Sequence, residues 1–219
     1  MKQQIEAPER RVLAPIFGVS RLRMATDGDG VTTLVTFVGC PLRCKWCLNN
    51  QCHQHIKDIP SAKLYSPRSL YHEVSQDNIY FQMTGGGICF GGGEPLLRYR
   101  FIQAFHQLCN GRWKITVETS LNVPGYCLRE LLPIVDHWIV DIKDMNPDIY
   151  QRYTGNDISP MLKRLDYLAA YREIRKITIR VPHIPDFNTD VDVRASIARL
   201  REMGFTDIDE FTYRKPIKP

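Results

Sequence analysis

The amino-acid sequence predicts an α/β fold in which parallel strands alternate with helices. Short runs rich in β-branched residues recur at residues 31–38, 87–92, 113–120, 137–143, 176–182 and 207–213. Longer amphipathic segments separate them, which is the pattern of βα units in a parallel sheet. Six such units are fewer than the eight of a closed barrel, so the pattern alone allows an open doubly wound sheet or an incomplete barrel.

Each predicted helix lies between two consecutive strands. Ser66 and Pro67 begin the first helix as an N-cap and a first-turn proline, and Gly204 ends the last one. The helices are predicted at residues 66–76, 95–110, 124–133, 160–174 and 189–204. Before the first strand we expect a polar N-terminal arm over residues 1–23. The barrel core then spans residues 24–213 of a single domain that covers residues 1–219.

Composition narrows the class of function and the compartment. The chain has 219 residues, of which 43% are hydrophobic, and this is enough to bury a full core. A net charge of +5 without a long basic block does not indicate a nucleic-acid partner, and no apolar run is long enough to span a membrane. The charged start MKQQIEAPERR predicts a cytoplasmic protein. Thiols stay reduced there, so clustered cysteines indicate a metal or redox site.

Chemically distinctive residues fall where the predicted strands end. Because the carboxyl ends of parallel strands meet at one rim of the sheet, the position of these residues at the strand ends predicts a single site there. The rim residues are the cysteines after strand one, GGGEP after strand two, Glu118 and Thr119, Asp141 and Lys143, Arg180, and Tyr213 with Arg214.

The stretch GCPLRCKWCLNNQC carries the strongest chemical signal. Cys40, Cys44 and Cys47 are spaced CxxxCxxC, so three thiolates can converge on a four-iron cluster and leave one iron open. The rival is a closed zinc site whose fourth ligand is Cys52, His53 or His55. This segment alone supports the iron-sulfur cluster and the zinc site about equally, although a structural zinc site would not explain the other rim residues.

Several motifs resemble those of a known family. GCPLRCKWC resembles the cysteine signature of radical S-adenosylmethionine (SAM) enzymes, and ATDGDGVTTLVTFVGC is similar to the lead strand of the glycyl-radical-enzyme activating enzymes. GGGICFGGGEPLL, VETS, VDIKDMNPDIYQRYTG with its helix, and ITIRVPHIPDFNTD continue the resemblance in order from about residue 24 to 213.

The resemblance implies a partial (β/α)6 TIM-like barrel and a set of partners. A [4Fe-4S] cluster on Cys40, Cys44 and Cys47 would bind SAM and cleave it reductively to a 5′-deoxyadenosyl radical. That radical would take a hydrogen atom from a glycine of a glycyl radical enzyme, and a flavodoxin or ferredoxin-type protein would donate the electron. The alternatives are a radical SAM enzyme that acts on a peptide or small molecule, and a zinc-stabilised binding module without catalysis.

The resemblance also implies roles for the rim residues. Gly91, Gly92 and Gly93 would let the backbone approach SAM closely. Glu94 and Lys143 would meet its ammonium and carboxylate, although a mutual salt bridge is the alternative for this pair. The other cofactor-binding candidates are Trp46 beside the adenine, the backbone of Leu48, Glu118, Asp141, Ile142 and Arg180. Arg180 could equally be a surface charge.

Hard oxygens on the rim suggest one further ligand. Glu118, Thr119 and Asp141 could hold a monovalent cation, although strand-end carboxylates are also common helix caps.

The sequence departs from the family pattern at several positions. Asp29 and Gly91 replace a proline and a serine of the motifs, and Arg214 stands where a cofactor-contacting histidine is expected. Cys52 is expected outside the cluster ligands. Cys89, Cys109 and Cys127 lie within a predicted strand and two predicted helices, where buried, inert thiols are expected.

Overall fold

The structure is a computed structural model that describes residues 12–24 and 26–213. Strands and helices alternate along most of this part of the chain. The strands are Ala14–Met24 (β1), Val31–Phe37 (β2), Lys63–Tyr65 (β3), Gly87–Gly92 (β4), Lys114–Thr119 (β5), His137–Asp141 (β6), Lys176–His183 (β7) and Ile208–Thr212 (β8). The α-helices are Pro67–Val74 (α1), Asn78–Thr84 (α2), Tyr99–Cys109 (α3), Gly125–Leu131 (α4), Pro147–Thr154 (α5), Ser159–Ala169 (α6) and Asp190–Glu202 (α7).

The strands form one sheet in the order β3-β1-β2-β4-β5-β6-β7-β8. From β2 to β8 each neighbouring pair is parallel, and these six strands are the ones that the sequence predicted. The first and last strands of the order, β3 and β8, are edges, so the sheet does not close. The predicted partial barrel of parallel strands is therefore confirmed.

The predicted N-terminal arm over residues 1–23 is partly wrong. Residues 1–11 lie outside the described part of the chain, but residues 14–24 form β1, which pairs antiparallel with both β2 and β3. Two register shifts interrupt the β1–β2 pairing, and the side chains after Val19 are half or fully exposed. The segment thus lacks the regular alternation of buried and exposed side chains from which a strand is predicted.

The five predicted helices are present within a few residues of their expected bounds, and α5 follows the VDIKDMN segment as the resemblance implied. Ser66 caps α1 as predicted, accepting a hydrogen bond from the backbone amide of Ser69 at 3.1 Å. The sequence missed α2, which has seven residues and exposes Ile79, Tyr80 and Met83. No α-helix in the described ranges is both long and apolar enough to cross a bilayer.

Two clusters of buried side chains hold the sheet in place. The larger one runs through the whole sheet and includes Phe37 stacked on Phe90, with ring centroids 5.6 Å apart. The smaller one packs Phe17, Val38 and Ile59 around Cys52, beneath the cysteine loop. The predicted burial of Cys89, Cys109 and Cys127 is confirmed, since each side chain is at most 1% exposed.

Candidate functional site

A cavity of about 210 Å³ opens at the carboxyl ends of the parallel strands. The loop after β2 and the end of β8 both line it, although they belong to opposite ends of the parallel run. The sheet must therefore curve around the cavity, as a partial barrel does. The lining residues that the sequence singled out are Cys40, Cys44, Trp46, Cys47, Leu48, Gly92, Gly93, Glu94, Glu118, Thr119, Asp141, Lys143, Arg180 and Tyr213.

The cysteine loop brings three half-buried thiols to the cavity wall. Cys40, Cys44 and Cys47 are all free and all line the cavity. The loop is anchored to the end of α5, because the Arg43 amide donates to the Thr154 carbonyl at 2.8 Å and the Lys45 amide to the Tyr153 carbonyl at 3.1 Å. Burial raises the pKa of Cys44 to about 12.

Cys52 lies next to two of these thiols but does not line the cavity. Cys52 is 2% exposed, and its sulfur lies within 4.8 Å of the Cys47 sulfur. Interaction with the Cys40 and Cys47 sulfurs, together with burial, raises the pKa of Cys52 far above its ordinary range. The Cys52 hydrogen bond also lowers the pKa of Cys47 to about 6. The Cys47 thiol therefore becomes a thiolate more readily than the Cys44 thiol.

The glycine stretch passes under the cysteine loop without room for side chains. A Cβ on Gly93 would lie 2.3 Å from the Gly39 carbonyl oxygen, and Gly92 has φ +88°. Gly92 and Gly93 line the cavity, whereas Gly91 is buried within β4 beside Glu118. A side chain at Gly92 or Gly93 would collide with Thr36 or with the Gly39 carbonyl, so these glycines let the stretch pack closely against the end of β2.

Glu94 is buried and fully engaged by the protein. Its Oε1 accepts hydrogen bonds from the Thr119 hydroxyl at 2.7 Å and the Leu96 amide at 3.2 Å. Its Oε2 accepts from the Ser120 hydroxyl at 2.8 Å and the Ser120 amide at 3.0 Å. Burial raises the pKa of Glu94, while these hydrogen bonds oppose the shift. In the structure this carboxylate ties the glycine stretch to the end of β5.

Lys143 is also buried, and its partner is Asp141. Its ammonium pairs with the Asp141 carboxylate and donates to the Tyr213 hydroxyl at 2.7 Å. Burial opposes the charge on Lys143, but Asp141 and Tyr213 outweigh it, so its pKa lies well above the ordinary range. The alternative of a salt bridge between Glu94 and Lys143 does not occur, because each is bound to other groups.

Glu118 and Arg180 form an ion pair on the cavity wall. Their closest nitrogen and oxygen atoms are 2.5 Å apart, and the Arg180 guanidinium also donates to the Thr26 carbonyl. Burial raises the pKa of Glu118, and Arg180 partly offsets this. Arg180 is thus a half-buried, paired residue of the site, because its side chain is 19% exposed.

The three remaining cofactor-binding candidates lie in different surroundings. Trp46 lines the cavity and packs edge-to-face on Phe187, with ring centroids 6.2 Å apart. Leu48 stands at the mouth with its side chain 80% exposed. Ile142 lies in the core, and its amide donates to the Arg180 carbonyl at 2.9 Å.

Sequence reasoning missed part of the cavity wall. Tyr153 lines the cavity, and Ser120 both lines it and binds Glu94. The sequence noted Tyr213 for its place after the last strand but gave it no role; it binds Lys143. Arg214, its expected neighbour at the site, lies outside the described residues.

The donor groups fit a [4Fe-4S] cluster and SAM. Three thiols face one cavity, and three thiolates leave one iron of a four-iron cluster for another ligand. Asp141 Oδ1 is buried without a hydrogen-bond partner, so it can accept from a ligand ammonium. Gly92 and Gly93 line the same cavity and present backbone without side chains to a zwitterion.

Two known proteins are similar to this chain in sequence. The (2S)-3-sulfopropanediol dehydratase activating enzyme of Klebsiella oxytoca is 29% identical over 86% of this chain and 78% of its own length. The pyruvate formate-lyase 1-activating enzyme of Escherichia coli K12 is 29% identical over 81% of this chain and 72% of its own.

The fold is also found in a larger protein. The crystal structure of Streptococcus suis SuiB bound to S-adenosylmethionine gives a TM-score of 0.58 at 13% identity, covering 84% of this chain and 41% of that one. This chain thus spans less than half the length of that structure, and the likeness shows a shared fold. A family model described as the radical SAM superfamily matches residues 34–200. The chain belongs to the radical SAM superfamily.

Proposed function

We propose that this chain is an activating enzyme that installs a glycyl radical on a partner enzyme. The observation that carries the proposal is the set of three thiols, Cys40, Cys44 and Cys47, on the wall of one open cavity. Relatives whose names describe them as activating enzymes, at 29% identity over most of the chain, support the choice of reaction.

Cys40, Cys44 and Cys47 would hold the [4Fe-4S] cluster, and the cavity would hold SAM beside it. When bound, the reduced cluster and SAM supply the one-electron cleavage chemistry of the superfamily. In the overall reaction one electron, SAM and a glycine Cα–H give methionine, 5′-deoxyadenosine and a glycyl radical. The protein contributes ligation, orientation and a site shielded from water.

The cavity residues would divide the recognition of SAM. The unpartnered Asp141 Oδ1 would accept from its ammonium, and Lys143 would face its carboxylate. The backbone at Gly92 and Gly93 would contact the methionyl part, and Trp46 would pack beside the adenine. Glu94 would act by positioning the glycine stretch, since both of its oxygens are already bound by the protein.

Two further parts of the proposal concern a cation and the electron donor. Glu118, Thr119 and Asp141 line the same wall and offer oxygens for a monovalent cation. Arg43 and Lys45 are exposed between the cluster cysteines, so the loop presents positive charge to a partner. An acidic flavodoxin or ferredoxin-type protein is the complement of that surface.

The experiment is anaerobic reconstitution followed by incubation with SAM, a reductant and a candidate glycyl radical enzyme. We expect about four irons per chain, formation of 5′-deoxyadenosine, and a glycine-centred doublet in the electron paramagnetic resonance spectrum of the partner. Cleavage of SAM without a doublet on any candidate partner would contradict the activating role and favour a peptide or small-molecule substrate. Stoichiometric zinc and no SAM cleavage would contradict the radical chemistry itself.

A further inference from the structure

A second group of metal-binding side chains lies beside the cluster cysteines. The donor atoms of Cys47, Cys52 and His53 are all within 4.8 Å of one another. Across residues 12–24 and 26–213, no other group of three or more histidine, cysteine or acidic side chains comes together in this way. The group shares Cys47 with the cluster ligands but brings two donors that the cluster does not use.

The backbone fixes Cys52 in this place. A 3-10 turn spans Asn50–His53, and the Cys52 amide donates to the Asn49 carbonyl at 2.8 Å. The Gly39 amide in turn donates to the Cys52 carbonyl at 2.8 Å, which ties the turn to the strand end before Cys40. The side chain of Cys52 is buried against Phe17, Val38 and Ile59. Its sulfur is therefore held in position before any metal arrives.

His53 supplies the observation that points to a ligand. Its Nδ1 is buried and has no hydrogen-bond partner among the described residues. Buried polar atoms in folded proteins almost always have a partner, so an orphaned nitrogen on a histidine ring that lies beside two thiols indicates a ligand. His55, two residues later, is exposed, and its Nδ1 accepts from the Lys57 amide at 3.3 Å. The two histidines of this loop therefore differ in availability.

We propose that the protein, when freed of its cluster, binds one thiophilic divalent ion through Cys47, Cys52 and His53, with a water molecule as the fourth ligand. A tetrahedral site with Zn–S bonds of about 2.3 Å places its two sulfurs about 3.8 Å apart. The three donor atoms already lie within 4.8 Å of one another, so closure requires a movement of at most about 1 Å. Two sulfurs and one imidazole nitrogen suit Zn²⁺ best.

The two metal centres exclude one another. Cys47 belongs to both ligand sets, whereas Cys40 and Cys44 belong to the cluster alone and Cys52 and His53 belong to the ion site alone. A bound Zn²⁺ ion therefore blocks assembly of the cluster. The competition rests on the proposed cluster ligands, whereas the ion site rests on Cys47, Cys52 and His53 themselves.

The test is a titration of the full chain, stripped of iron by a chelator under anaerobic reducing conditions, with Co²⁺ as a visible probe for Zn²⁺. We expect the wild type, Cys44→Ala and His55→Ala to bind one Co²⁺ with the absorption of tetrahedral thiolate coordination, and Zn²⁺ to displace it. Cys52→Ser and His53→Ala should each weaken binding at least about tenfold. Near-ultraviolet circular dichroism checks that these variants are folded.

The assignment of ligands is overturned if Cys52→Ser and His53→Ala bind Co²⁺ like the wild type, or if Cys44→Ala loses it as they do. A second arm loads Zn²⁺ before cluster reconstitution. Iron uptake should fall in the wild type and be restored in Cys52→Ser. Failure of the wild type to take up iron and sulfide without Zn²⁺ would refute the proposed cluster, and it would leave the Co²⁺ result standing as evidence for the ion site.

Discussion

Replacing Glu94 by glutamine tests whether this buried carboxylate supports the fold or binds the cofactor. Its oxygens accept four hydrogen bonds, from Thr119, Leu96 and twice from Ser120, and the residue is 1% exposed. In Glu94→Gln the new amide group faces the Ser120 amide, so a donor meets a donor. The Ser120 hydroxyl can rotate to accept, but the Ser120 N–H stays buried without a partner.

The magnitude follows from those contacts. A hydrogen bond to a charged group contributes about 1.5–3 kcal/mol, and a stranded buried donor costs about 1–3 kcal/mol. The substitution removes one such bond, strands one donor and recovers part of the cost of burying the charge, so we expect a net loss of about 2–4 kcal/mol. For a chain of this size that lowers the Tm by about 5–15 °C.

The assay is an anaerobic thermal melt beside a measurement of SAM binding. The matched control is Glu73→Gln, because Glu73 is an exposed carboxylate with one side-chain contact, at 2.8 Å from the Tyr65 hydroxyl. The control should move the free energy of unfolding by no more than about 0.5 kcal/mol. The reasoning is refuted if the two variants melt alike. Weaker SAM binding at unchanged Tm would show instead that Glu94 holds the cofactor.

Three further predictions concern the cluster, pH and the electron donor. Cys44→Ala should lose bound iron and SAM cleavage while Cys109→Ala, a buried thiol in α3, keeps both, and iron analysis checks this. Burial lowers the pKa of His137 to about 4, below its ordinary 6.5, so stability is full above pH 6.5 and falls as the pH drops toward 4. Between pH 7.5 and 5.5 the free energy of unfolding should fall by about 1.4 kcal/mol. Thermal melts of His137→Asn should not show this fall, and an equal loss of stability in both proteins contradicts the assignment. Lys45→Glu should slow cluster reduction by an acidic flavodoxin about threefold to tenfold at low salt. Lys114 begins β5, at the end of the strand away from the cavity, so Lys114→Glu should not slow the reduction. Equal slowing by both variants would exclude docking at the cysteine loop.

The parallel strands could be predicted because helices separate each of them from the next along the chain. β1 could not, because it has no helix of its own and its pairing with β2 shifts register between Ile16 and Gly18 and between Ser20 and Arg23. α2 was missed for a related reason: its seven residues leave Ile79, Tyr80 and Met83 exposed, so no polar face marks it as a surface helix.

The site could be predicted as a set of residues but not as a set of contacts. Strand ends place Glu94, Glu118, Asp141, Lys143 and Arg180 on one rim, and any of the carboxylates could pair with either cation. Strand order and register decide the outcome: Arg180 reaches Glu118, whereas Lys143 turns back to Asp141 in its own segment. The contacts of Cys52 depend on a 3-10 turn that the spacing of the cysteines does not predict.

The most direct test of the proposed function follows the hydrogen atom. The reconstituted chain is incubated with SAM, a reductant and a glycyl radical enzyme whose glycines carry deuterium at the α-carbon, and the 5′-deoxyadenosine is analysed by mass spectrometry. The account predicts one deuterium in the product for each glycyl radical formed, and none with a Cys44→Ala variant. A product without deuterium, formed while the partner gains no radical, would contradict the claim that this chain activates a glycyl radical enzyme.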